Sequence, residues 1–396
     1  MTTQLALKML AALAVAAVVS FLTTPMVKSL AYKVGAIDVP KDNRRMHKTP
    51  IPRLGGLAIF IAFLLTVLIF ADIDRPIRGI LLGAVMIVVL GVLDDILTLK
   101  ALPKLLVQIA AAAMAVYHGC VIQFFSNPNV FSDATYISLG WLSVPVTIIW
   151  IVAITNAVNF IDGLDGLAVG VSAISTAALV VIALLVQEIN IAVIFIALFG
   201  ACLGFIPYNM NPAKIFMGDT GSTFLGYILA TLSVTGLFKL YAIISFAVPF
   251  LILGLPIFDI CFAFLRRIAR GQNPMVADRG HVHHRLIDMG FSQKQAVAIV
   301  YMLTAILCLA AVLLTSSGEL KALILIGAVF VVSMIGFRLI FSKQEKPAED
   351  TKQEPQPANA EPAAQPEQPA DPEPAEAAAA GSSEPDAPKE EQHGEN

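Results

Sequence analysis

Long apolar stretches alternate with short polar loops along most of the chain. About eleven of these stretches contain about 17 to 23 residues, long enough for an α-helix to cross a hydrocarbon core of roughly 30 Å. They lie near 5–22, 54–71, 77–93, 104–124, 142–159, 166–186, 189–207, 222–238, 240–262, 295–314 and 320–341. The pattern predicts an all-α fold, a polytopic integral membrane helical bundle with about eleven transmembrane helices.

Composition supports this interpretation and marks a boundary near the C-terminus. The 396 residues are 57% hydrophobic and only 14% charged, with a mean hydropathy of +0.78, which exceeds what a soluble core of this length requires. From Ser342 onward the sequence becomes rich in Pro, Ala, Glu and Gln, a mixture that cannot bury enough apolar surface to offset its ordering entropy. We therefore expect a membrane domain at 1–341 and a disordered acidic tail at 342–396.

Basic residues are concentrated in alternate loops. Loop 23–53 and loop 263–294 are strongly basic, whereas the intervening opposite-side loops hold only Arg75, Arg78, Lys239 and Lys321. Because basic loops remain in the cytoplasm, the N-terminus is expected outside. With an odd number of spans the C-terminus, and the tail with it, is expected in the cytoplasm.

Carboxylates interrupt the apolar pattern at three places, all at the predicted cytoplasmic ends of helices. Such groups are candidate functional residues, because a charge at the centre of a membrane helix costs about 2.5 to 3.5 kcal/mol on insertion scales. In "GVLDDILTLKALPK" the charges of Asp94 and Asp95 repel each other unless a cation or a base compensates, and Lys100 and Lys104 are nearby candidates. A solvated helix-end turn is the alternative for this motif.

The stretch "NAVNFIDGLDGLA" holds the second group of polar residues. Asn156 and Asn159 are three residues apart, as are Asp162 and Asp165, so each pair can share one face of a helical turn. Gly163 and Gly166 leave room for a ligand or a metal-bound phosphate beside the acids. A polar interhelical loop capped by aspartate is the alternative.

In "YNMNPAKIFMGDTGS", Asp219 stands just before a small-residue turn, with Asn209 ten residues upstream. Taken alone, Asp219 suits a helix N-cap. As the third acidic cluster on one side of the membrane it also suits a ligand of Mg²⁺, which is usually held by one or two carboxylates together with substrate phosphates.

The segment "DRGHVHHRL" combines three histidines with two arginines. Its spacing matches no usual zinc motif, and the arginines argue against a cation site. A basic loop rich in hydrogen-bond donors favours a phosphate or pyrophosphate, with a lipid headgroup as the alternative ligand. Asp259, further upstream, is expected to be structural, within reach of Arg266 and Arg267 or of another helix.

Acids for Mg²⁺, a basic loop for phosphates and a membrane body together indicate phosphoryl transfer between a water-soluble nucleotide and a lipid. The rival from another class is a secondary transporter, but transport acids should lie near the bilayer midplane between broken repeats. No feature indicates a nucleic-acid partner.

The motifs "LDDI", "NAVNFIDGLDGLA", "FMGDTGS" and "HVHHRL" resemble, in order and separation, those of the polyprenyl-phosphate N-acetylhexosamine-1-phosphate transferases. The resemblance covers roughly residues 1–341. Within the family, "DRGHVHHRLIDMGF" is similar to the bacterial branch that uses UDP-N-acetylglucosamine (UDP-GlcNAc) and undecaprenyl phosphate, especially the enzymes that begin wall teichoic acid linkage units. The muramoyl-pentapeptide branch, the alternative within the family, typically has an uninterrupted three-histidine run followed by an acidic residue, whereas Val282 interrupts the triplet here and Arg285 follows it.

The resemblance implies a multi-pass enzyme of the bacterial plasma membrane whose active site faces the cytoplasm. It would convert UDP-GlcNAc and undecaprenyl phosphate into undecaprenyl-diphosphate-GlcNAc and UMP with Mg²⁺, for which Mn²⁺ is an expected substitute. Asp219 would be the principal metal ligand with Asp162 close to the metal, Asp94 would orient or deprotonate the lipid phosphate, and Asp95 would support the site. The expected substrate-binding residues are Lys48, Lys104, Asn156, Asn159, Gly163, Asp165, Asn209, Phe216, His281, His283, His284 and Arg285.

Within that set, Phe216 would stack on uracil, Asp165 and Gly163 would line the uridine pocket, and the four residues of the histidine segment would hold the diphosphate and the sugar. A two-step route through an aspartyl-phosphate on Asp94 is the mechanistic alternative to direct transfer. The sequence leaves the oligomeric state open, a homodimer being one candidate.

Overall fold

The computed structural model describes residues 3–40, 49–126, 136–236, 248–269, 271, 281–317 and 327. Within these residues the chain is almost entirely helical. The helices are α1 (Thr3–Val34), α2 (Gly56–Phe70), α3 (Arg75–Leu97), α4 (Ala101–Tyr117), α5 (Ser143–Ile161), α6 (Leu167–Leu185), α7 (Ile189–Asn209), α8 (Gly218–Gly236), α9 (Gly254–Ala269), α10 (Val282–Asp288) and α11 (Gln293–Ser317).

Apolar composition makes most of these helices suitable for a membrane. In the part of the chain that the structure describes, six helical segments are long and apolar enough to cross one, namely Thr3–Val34, Arg75–Leu97, Gly140–Ile161, Leu167–Leu185, Ile189–Asn209 and Gln293–Thr315. Gly56–Phe70 and Ala101–Tyr117 are shorter apolar helices. The predicted all-α membrane protein is therefore confirmed at this level. The predicted span 240–262 is only partly described, and 320–341 and the tail, apart from residue 327, lie outside the described residues.

Helix α1 continues about three turns beyond the predicted span 5–22. The polar residues that suggested an end at this point are accommodated inside the helix. The Thr24 hydroxyl donates to the Ser20 carbonyl oxygen at 2.6 Å, one turn back, and the Pro25 ring is tolerated within the helix. The extension carries the basic residues Lys28 and Lys33 toward the end of the bundle where the acidic motifs lie.

Helix α8 lies at the centre of the bundle. Every residue from Thr220 to Gly236 is buried, and α8 packs against α3 and α5 and also contacts α2 and α6. Small side chains make this close packing feasible. The N-terminus of α8, which carries Asp219, is therefore surrounded by the ends of other helices.

Short extended segments, which the apolar pattern did not predict, fasten the loops. β1 (Ile37–Asp38) pairs with β2 (Ile51–Pro52), and β3 (Phe124–Ser126) pairs with β4 (Tyr136–Ser138), both antiparallel. Next to β2, Arg53 forms a parallel bridge with Phe216, whose backbone N–H donates to the Pro52 carbonyl oxygen at 2.8 Å. This pairing holds the loop after α1 against the loop before α8.

Consecutive helices from α3 to α8 run up and down, so their ends alternate between two faces of the bundle. One face collects the C-terminal ends of α3, α5 and α7 and the N-terminal ends of α4, α6 and α8. The three acidic motifs, which are far apart in sequence, occupy these ends. The fold therefore brings them together at a single face, as the sequence predicted.

Candidate active site

A cleft of about 470 Å³ opens at the face where the helix ends meet. It is lined by Asp38, Arg53, Asp95, Lys104, Asn159, Asp162, Gly163, Leu164, Asp165, Asn209, Phe216, Gly218, Asp219 and Gln293. Most of these side chains are polar or charged although the surrounding helices are apolar. A polar cleft at the end of an apolar bundle suits a ligand that has a charged part and a lipid part.

Lys104, in the first turn of α4, joins two of the acidic motifs. Its ammonium nitrogen lies 2.9 Å from Asp94 Oδ2 and 3.1 Å from Asp219 Oδ2. The Asp94 side chain is 8% exposed, so this contact lies at the protected edge of the cleft, whereas Lys104 and Asp219 are 28% and 29% exposed. Asp94 Oδ1 also accepts a hydrogen bond from the Leu99 backbone N–H at 2.7 Å. Lys104 thus balances the charges of two carboxylates that would otherwise repel each other.

Asp95 binds the N-terminus of α8, and its Oδ1 also lies 4.0 Å from Arg53 Nε. Its Oδ1 accepts from the Asp219 backbone N–H at 3.0 Å, and its Oδ2 accepts from the Thr220 backbone N–H at 3.0 Å and from the Thr220 hydroxyl at 2.6 Å. A carboxylate from α3 therefore caps α8 in the place of a local N-cap residue. This contact sets the position of Asp219, so the geometry favours positioning as the contribution of Asp95.

Gly218 permits that cap. Its φ is +71°, a left-handed conformation that side chains rarely adopt, and a methyl group at this position would come within 2.4 Å of Asp95 Oδ2. The cap also resolves the alternative raised for Asp219. Asp219 is in the first turn of α8, but its own carboxylate pairs with Lys104 and leaves the capping to Asp95.

Asp162 immediately follows α5 and lines the cleft. No hydrogen bond from any residue within the described ranges reaches its carboxylate. Burial and three neighbouring carboxylates, of which Asp219 has the largest effect, raise the pKa of Asp162 to about 8. Among the described residues that line the cleft, five carboxyl groups face two basic side chains, Lys104 and Arg53, an arrangement that favours a bound cation.

The turn that carries Asp162 is held by the loop between α7 and α8. Asn209 is buried, accepts from the Gly166 backbone N–H at 3.2 Å and donates to the Ile215 carbonyl oxygen at 3.0 Å. Asp165 Oδ2 accepts from Asn211 Nδ2 at 2.9 Å and from the Ala213 backbone N–H at 3.0 Å. Both predicted residues line the cleft, and both also fix its walls.

The two asparagines of α5 have different surroundings. Asn159 lines the cleft and accepts a hydrogen bond from the Ser222 hydroxyl at 2.6 Å. Asn156, one turn earlier, donates to Gln108 Oε1 at 2.6 Å and is not among the cleft residues. Gln108 follows Lys104 by one turn of α4, so the Asn156–Gln108 pair fixes α4 against α5 and with it the position of Lys104.

The histidine segment lies behind the cleft. His281 Nδ1 is 2.8 Å from Asp259 Oδ2, and Asp259 Oδ1 accepts from the Val282 backbone N–H at 2.8 Å. Asp259, expected near Arg266 and Arg267 or another helix, is therefore the anchor of this segment. Arg285 packs over the Phe262 ring, 5.0 Å from its centroid. The described residues that line the cleft include none of the four predicted ones, His281, His283, His284 and Arg285. Their contact with a diphosphate therefore stays a prediction.

His283 packs directly under the turn that carries Asp162. A methyl group on Gly163 would come within 2.2 Å of His283 Nε2, so only glycine permits this approach. Burial, assisted by the neighbouring His284, lowers the pKa of His283 to about 3. His283 is therefore neutral at physiological pH, and its contact with Gly163 supports the position of Asp162.

A metal ion fits this cleft only together with a substrate. Within the residues that the structure describes, no group of three or more His, Cys, Asp or Glu side chains is arranged to hold a metal. Asp162 and Asp219 nevertheless line one cleft, and two carboxylates complemented by phosphate oxygens and water are a usual set for Mg²⁺. The donor chemistry fits a magnesium ion that binds with its phosphate substrate.

Sequence reasoning missed several residues of the site. Arg53 lines the cleft and donates to the Asp95 carbonyl oxygen at 3.1 Å, yet it stood out only as one of many basic loop residues. Asp38 and Gln293 also line the cleft and belong to none of the quoted motifs. The predicted Lys48 lies outside the described residues. Phe216 lines the cleft, and its stacking on uracil stays a prediction.

Comparison with known proteins agrees with this geometry. Residues 77–237 match glycosyl transferase family 4. The chain is 42% identical over 326 residues to a probable undecaprenyl-phosphate N-acetylglucosaminyl 1-phosphate transferase of Bacillus subtilis, a match that covers 81% of this chain and 90% of the relative. It is 34% identical to a decaprenyl-phosphate N-acetylglucosaminephosphotransferase of Mycobacterium tuberculosis (81% and 86% covered) and 32% identical to a phospho-N-acetylmuramoyl-pentapeptide-transferase of Clostridium beijerinckii (69% and 85% covered).

These matches define a class of membrane-bound transferase enzymes. The chain belongs to the polyprenyl-phosphate N-acetylhexosamine-1-phosphate transferases of glycosyl transferase family 4, and the predicted resemblance is confirmed.

Proposed function

We propose that the protein transfers GlcNAc-1-phosphate from UDP-GlcNAc to undecaprenyl phosphate, giving undecaprenyl-diphosphate-GlcNAc and UMP. The observation that carries this proposal is the convergence of Asp162, Asp219 and Lys104 in one polar cleft at the end of an apolar bundle, with Asp94 paired to Lys104 at its edge. Such a cleft can receive a nucleotide from water and a lipid phosphate from the membrane. The names of the Bacillus subtilis and Mycobacterium tuberculosis relatives support the sugar and the prenyl acceptor.

The membrane arrangement proposed with this function has about eleven spans, the N-terminus outside and the C-terminus in the cytoplasm. The cleft would face the cytoplasm. Supporting this orientation, the loop that contributes Arg53 to the cleft is one of the two most basic loops of the chain. Residues 342–396 would form an acidic cytoplasmic tail separate from the enzyme domain.

In the proposed reaction, an oxygen of the lipid phosphate attacks the sugar-bearing phosphorus of UDP-GlcNAc. The phosphorus–oxygen bond to UMP breaks, and UMP leaves with the electron pair. The second pKa of a phosphate monoester is about 6, so the attacking group is already mostly dianionic at neutral pH and needs little help from a base. The residues therefore act mainly by positioning and by charge neutralisation.

Asp219 and Asp162 would hold Mg²⁺, with Mn²⁺ as a substitute, and the ion would supply charge neutralisation on the phosphates when bound. Lys104 supplies a fixed positive charge at the same wall of the cleft. Asp94 orients Lys104, and Asp95 positions Asp219 through the cap on α8. Phe216 and Asp165 would receive the uridine.

Direct transfer is favoured over a covalent aspartyl-phosphate on Asp94. Both oxygens of Asp94 already accept hydrogen bonds, from the Leu99 N–H and from Lys104. Each oxygen keeps a second lone pair, but the two hydrogen bonds stabilise the carboxylate and make it a weaker nucleophile. A sugar-phosphate adduct trapped on the enzyme would contradict direct transfer, and inversion at phosphorus without an adduct would support it.

Two alternatives remain distinguishable by experiment. A muramoyl-pentapeptide donor is the alternative within the family, and the name of the Clostridium beijerinckii relative supports this alternative. A secondary transporter would place its carboxylates near the bilayer midplane, whereas the carboxylates of this protein lie at helix ends. The chain also belongs to a transferase family. The proposed cellular role is the synthesis of wall teichoic acid. A homodimer is the candidate assembly.

The purified protein should convert undecaprenyl phosphate and UDP-GlcNAc, in the presence of Mg²⁺, into a lipid whose mass matches undecaprenyl-diphosphate-GlcNAc. UDP-N-acetylmuramoyl-pentapeptide and other UDP-sugars form the comparison panel, and excess EDTA should stop the reaction. Mass spectrometry of the lipid and release of UMP are the measurements. Product from the muramoyl donor alone, or full turnover in EDTA, would contradict the proposal.

Asp162 should make stability depend on pH when no divalent cation is present. Its carboxyl group keeps a proton up to a pKa of about 8 in the folded protein, against an ordinary value of 3.8. Stability should therefore fall as pH rises through this interval and level off above it. The melting temperature of Asp162→Asn minus that of the wild type, measured in EDTA and detergent, should increase from about pH 5 to about pH 8.

The matched control for the pH experiment is Asp72→Asn, because Asp72 is exposed on the loop between α2 and α3. Its melting-temperature difference from the wild type should stay flat over the same interval. If the melting-temperature difference for Asp162→Asn also stays constant with pH, then the Asp162 carboxyl group is not buried among other carboxylates as described above.

A further inference from the structure

Gln293, the first residue of α11, lines the cleft although no catalytic motif includes it. Its Oε1 accepts a hydrogen bond from Asn211 Nδ2 at 2.8 Å. Its Nε2 is buried and has no hydrogen-bond partner among the residues that the structure describes. Because the bond to Asn211 fixes which end of the amide is oxygen, the free end is a pair of N–H donors.

Asn211 couples Gln293 to Asp165. The same nitrogen, Asn211 Nδ2, donates to Gln293 Oε1 and, at 2.9 Å, to Asp165 Oδ2. Asp165 Oδ2 also accepts from the Ala213 backbone N–H, while no described residue donates to Asp165 Oδ1. Asp165 therefore offers a free acceptor and Gln293 a free donor. Both side chains line the cleft, and the amide group of Asn211 binds both of them.

A buried donor without a partner is costly, and native structures contain few of them. The donor of Gln293 becomes favourable when a ligand supplies an acceptor. Because Asp165 supplies an acceptor beside it, the pair is complementary to a ligand edge that presents one acceptor next to one donor. The imide edge of uracil, with a carbonyl oxygen beside N3–H, is such an edge.

We propose that Gln293 is a specificity-determining residue that, together with Asp165, recognises the imide edge of uracil. Gln293 Nε2 donates to O4 of uracil, the carbonyl oxygen that cytosine lacks, and Asp165 Oδ1 accepts from N3–H. Cytosine presents an acceptor at N3 and an amino donor at C4, so both contacts would be mismatched. The inference rests on the proposed use of a uridine nucleotide and adds the residue that distinguishes uridine from cytidine.

Gln293→Glu tests the donor selectively. One carboxylate oxygen can still accept from Asn211, whereas the atom that faces the ligand changes from a donor to an acceptor. The matched control is Gln295→Glu, which adds the same charge two residues away. Gln295 is exposed, and its Oε1 accepts from the Ser292 backbone N–H at 2.9 Å and hydroxyl at 3.0 Å, a cap that glutamate preserves.

The measurement is inhibition by UMP and by CMP, which contain no sugar, together with the KM for UDP-GlcNAc. Wild type should bind UMP at least about tenfold more tightly than CMP, since a site built to hydrogen-bond one ligand rejects its mismatched analogue. Gln293→Glu should weaken UMP binding and raise the KM for UDP-GlcNAc roughly tenfold, and it should narrow the preference for UMP over CMP. Gln295→Glu should match wild type.

Gln293→Met, which has a similar length and no donor, should also lose UMP affinity and serves if the glutamate variant fails to fold. Unchanged UMP and CMP affinities in a folded Gln293 variant would overturn the inference while leaving the proposed reaction intact. Equal binding of UMP and CMP by wild type would overturn it too. If wild type prefers UMP through Gln293 but forms no lipid product from UDP-GlcNAc, the proposed reaction fails and the inference stands.

Discussion

Asp219→Asn should abolish UMP release while the protein still folds. Asp219 lies where the cap from Asp95, the ammonium group of Lys104 and the open cleft meet. Asparagine keeps the shape but removes the negative charge that a divalent cation requires. Removal of one preorganised electrostatic group typically costs about 10² to 10³ in kcat, so turnover should fall at least about a hundredfold.

The same loss is expected for Asp162→Asn and Asp94→Asn, for different reasons. Asp162 has no protein donor to its carboxyl group in the described part of the chain, so its oxygens are available to a cation, which would displace the proton that the group otherwise keeps up to a pKa of about 8. Asp94 would lose its charge-assisted contact with Lys104. UMP release in detergent, with gel filtration and circular dichroism to verify folding, is the measurement.

Asp72→Asn is again the matched control, because it removes one carboxylate from an exposed loop far from the acidic motifs in sequence. It should retain wild-type turnover. Near-normal turnover in all three cleft variants would defeat the proposed mechanism, whatever the control shows.

Lys104→Met should reduce kcat by about a hundredfold or more. The substitution retains most of the apolar stem but leaves Asp94 and Asp219 without the ammonium group that lies 2.9 and 3.1 Å from them. The two carboxylates would then repel each other, and the phosphates would lose a fixed positive charge. Steady-state kinetics with both substrates varied is the measurement, and the loss should appear in kcat rather than only in KM.

Lys100→Met provides the control for Lys104. Lys100 was an equally plausible compensating base in the sequence, but the structure leaves it exposed immediately before α4 and pairs Lys104 with the carboxylates. Lys100→Met should therefore turn over normally. Equal losses in both variants would indicate that general positive charge near the membrane, and not the Lys104 contact, is what the reaction requires.

Much of the site could be predicted because its residue types are unusual in their setting. Asp94, Asp162 and Asp219 stand out against apolar helices, and a charge in such a place requires a reason. The side chains that support them do not stand out. Arg53, Asn211 and Gln293 are ordinary polar residues in loops or at a helix start, and Gln108 is a buried residue in the middle of α4. Only their contacts across the bundle reveal their part in the site.

Asp95 shows the same limit within a predicted motif. Its adjacency to Asp94 predicted that the two charges repel each other, and the resemblance gave Asp95 a supporting role. The structure shows that the two side chains have different partners, Asp95 the N-terminus of α8 and Asp94 the ammonium group of Lys104. Neighbouring residues on a helix are separated by about 100° around its axis, so they rarely share one task. Which task each has depends on the helix that packs against it.

The sequence by itself determined the helical membrane architecture, the acidic motifs and their common side of the bundle. These follow from local physics, because apolar length, charge and loop basicity act within one segment at a time. Only the tertiary structure decided which carboxylate pairs with Lys104, which one caps α8, and which one is left available for a cation. Those outcomes depend on contacts between residues far apart in sequence, and such contacts are set by how the helices pack.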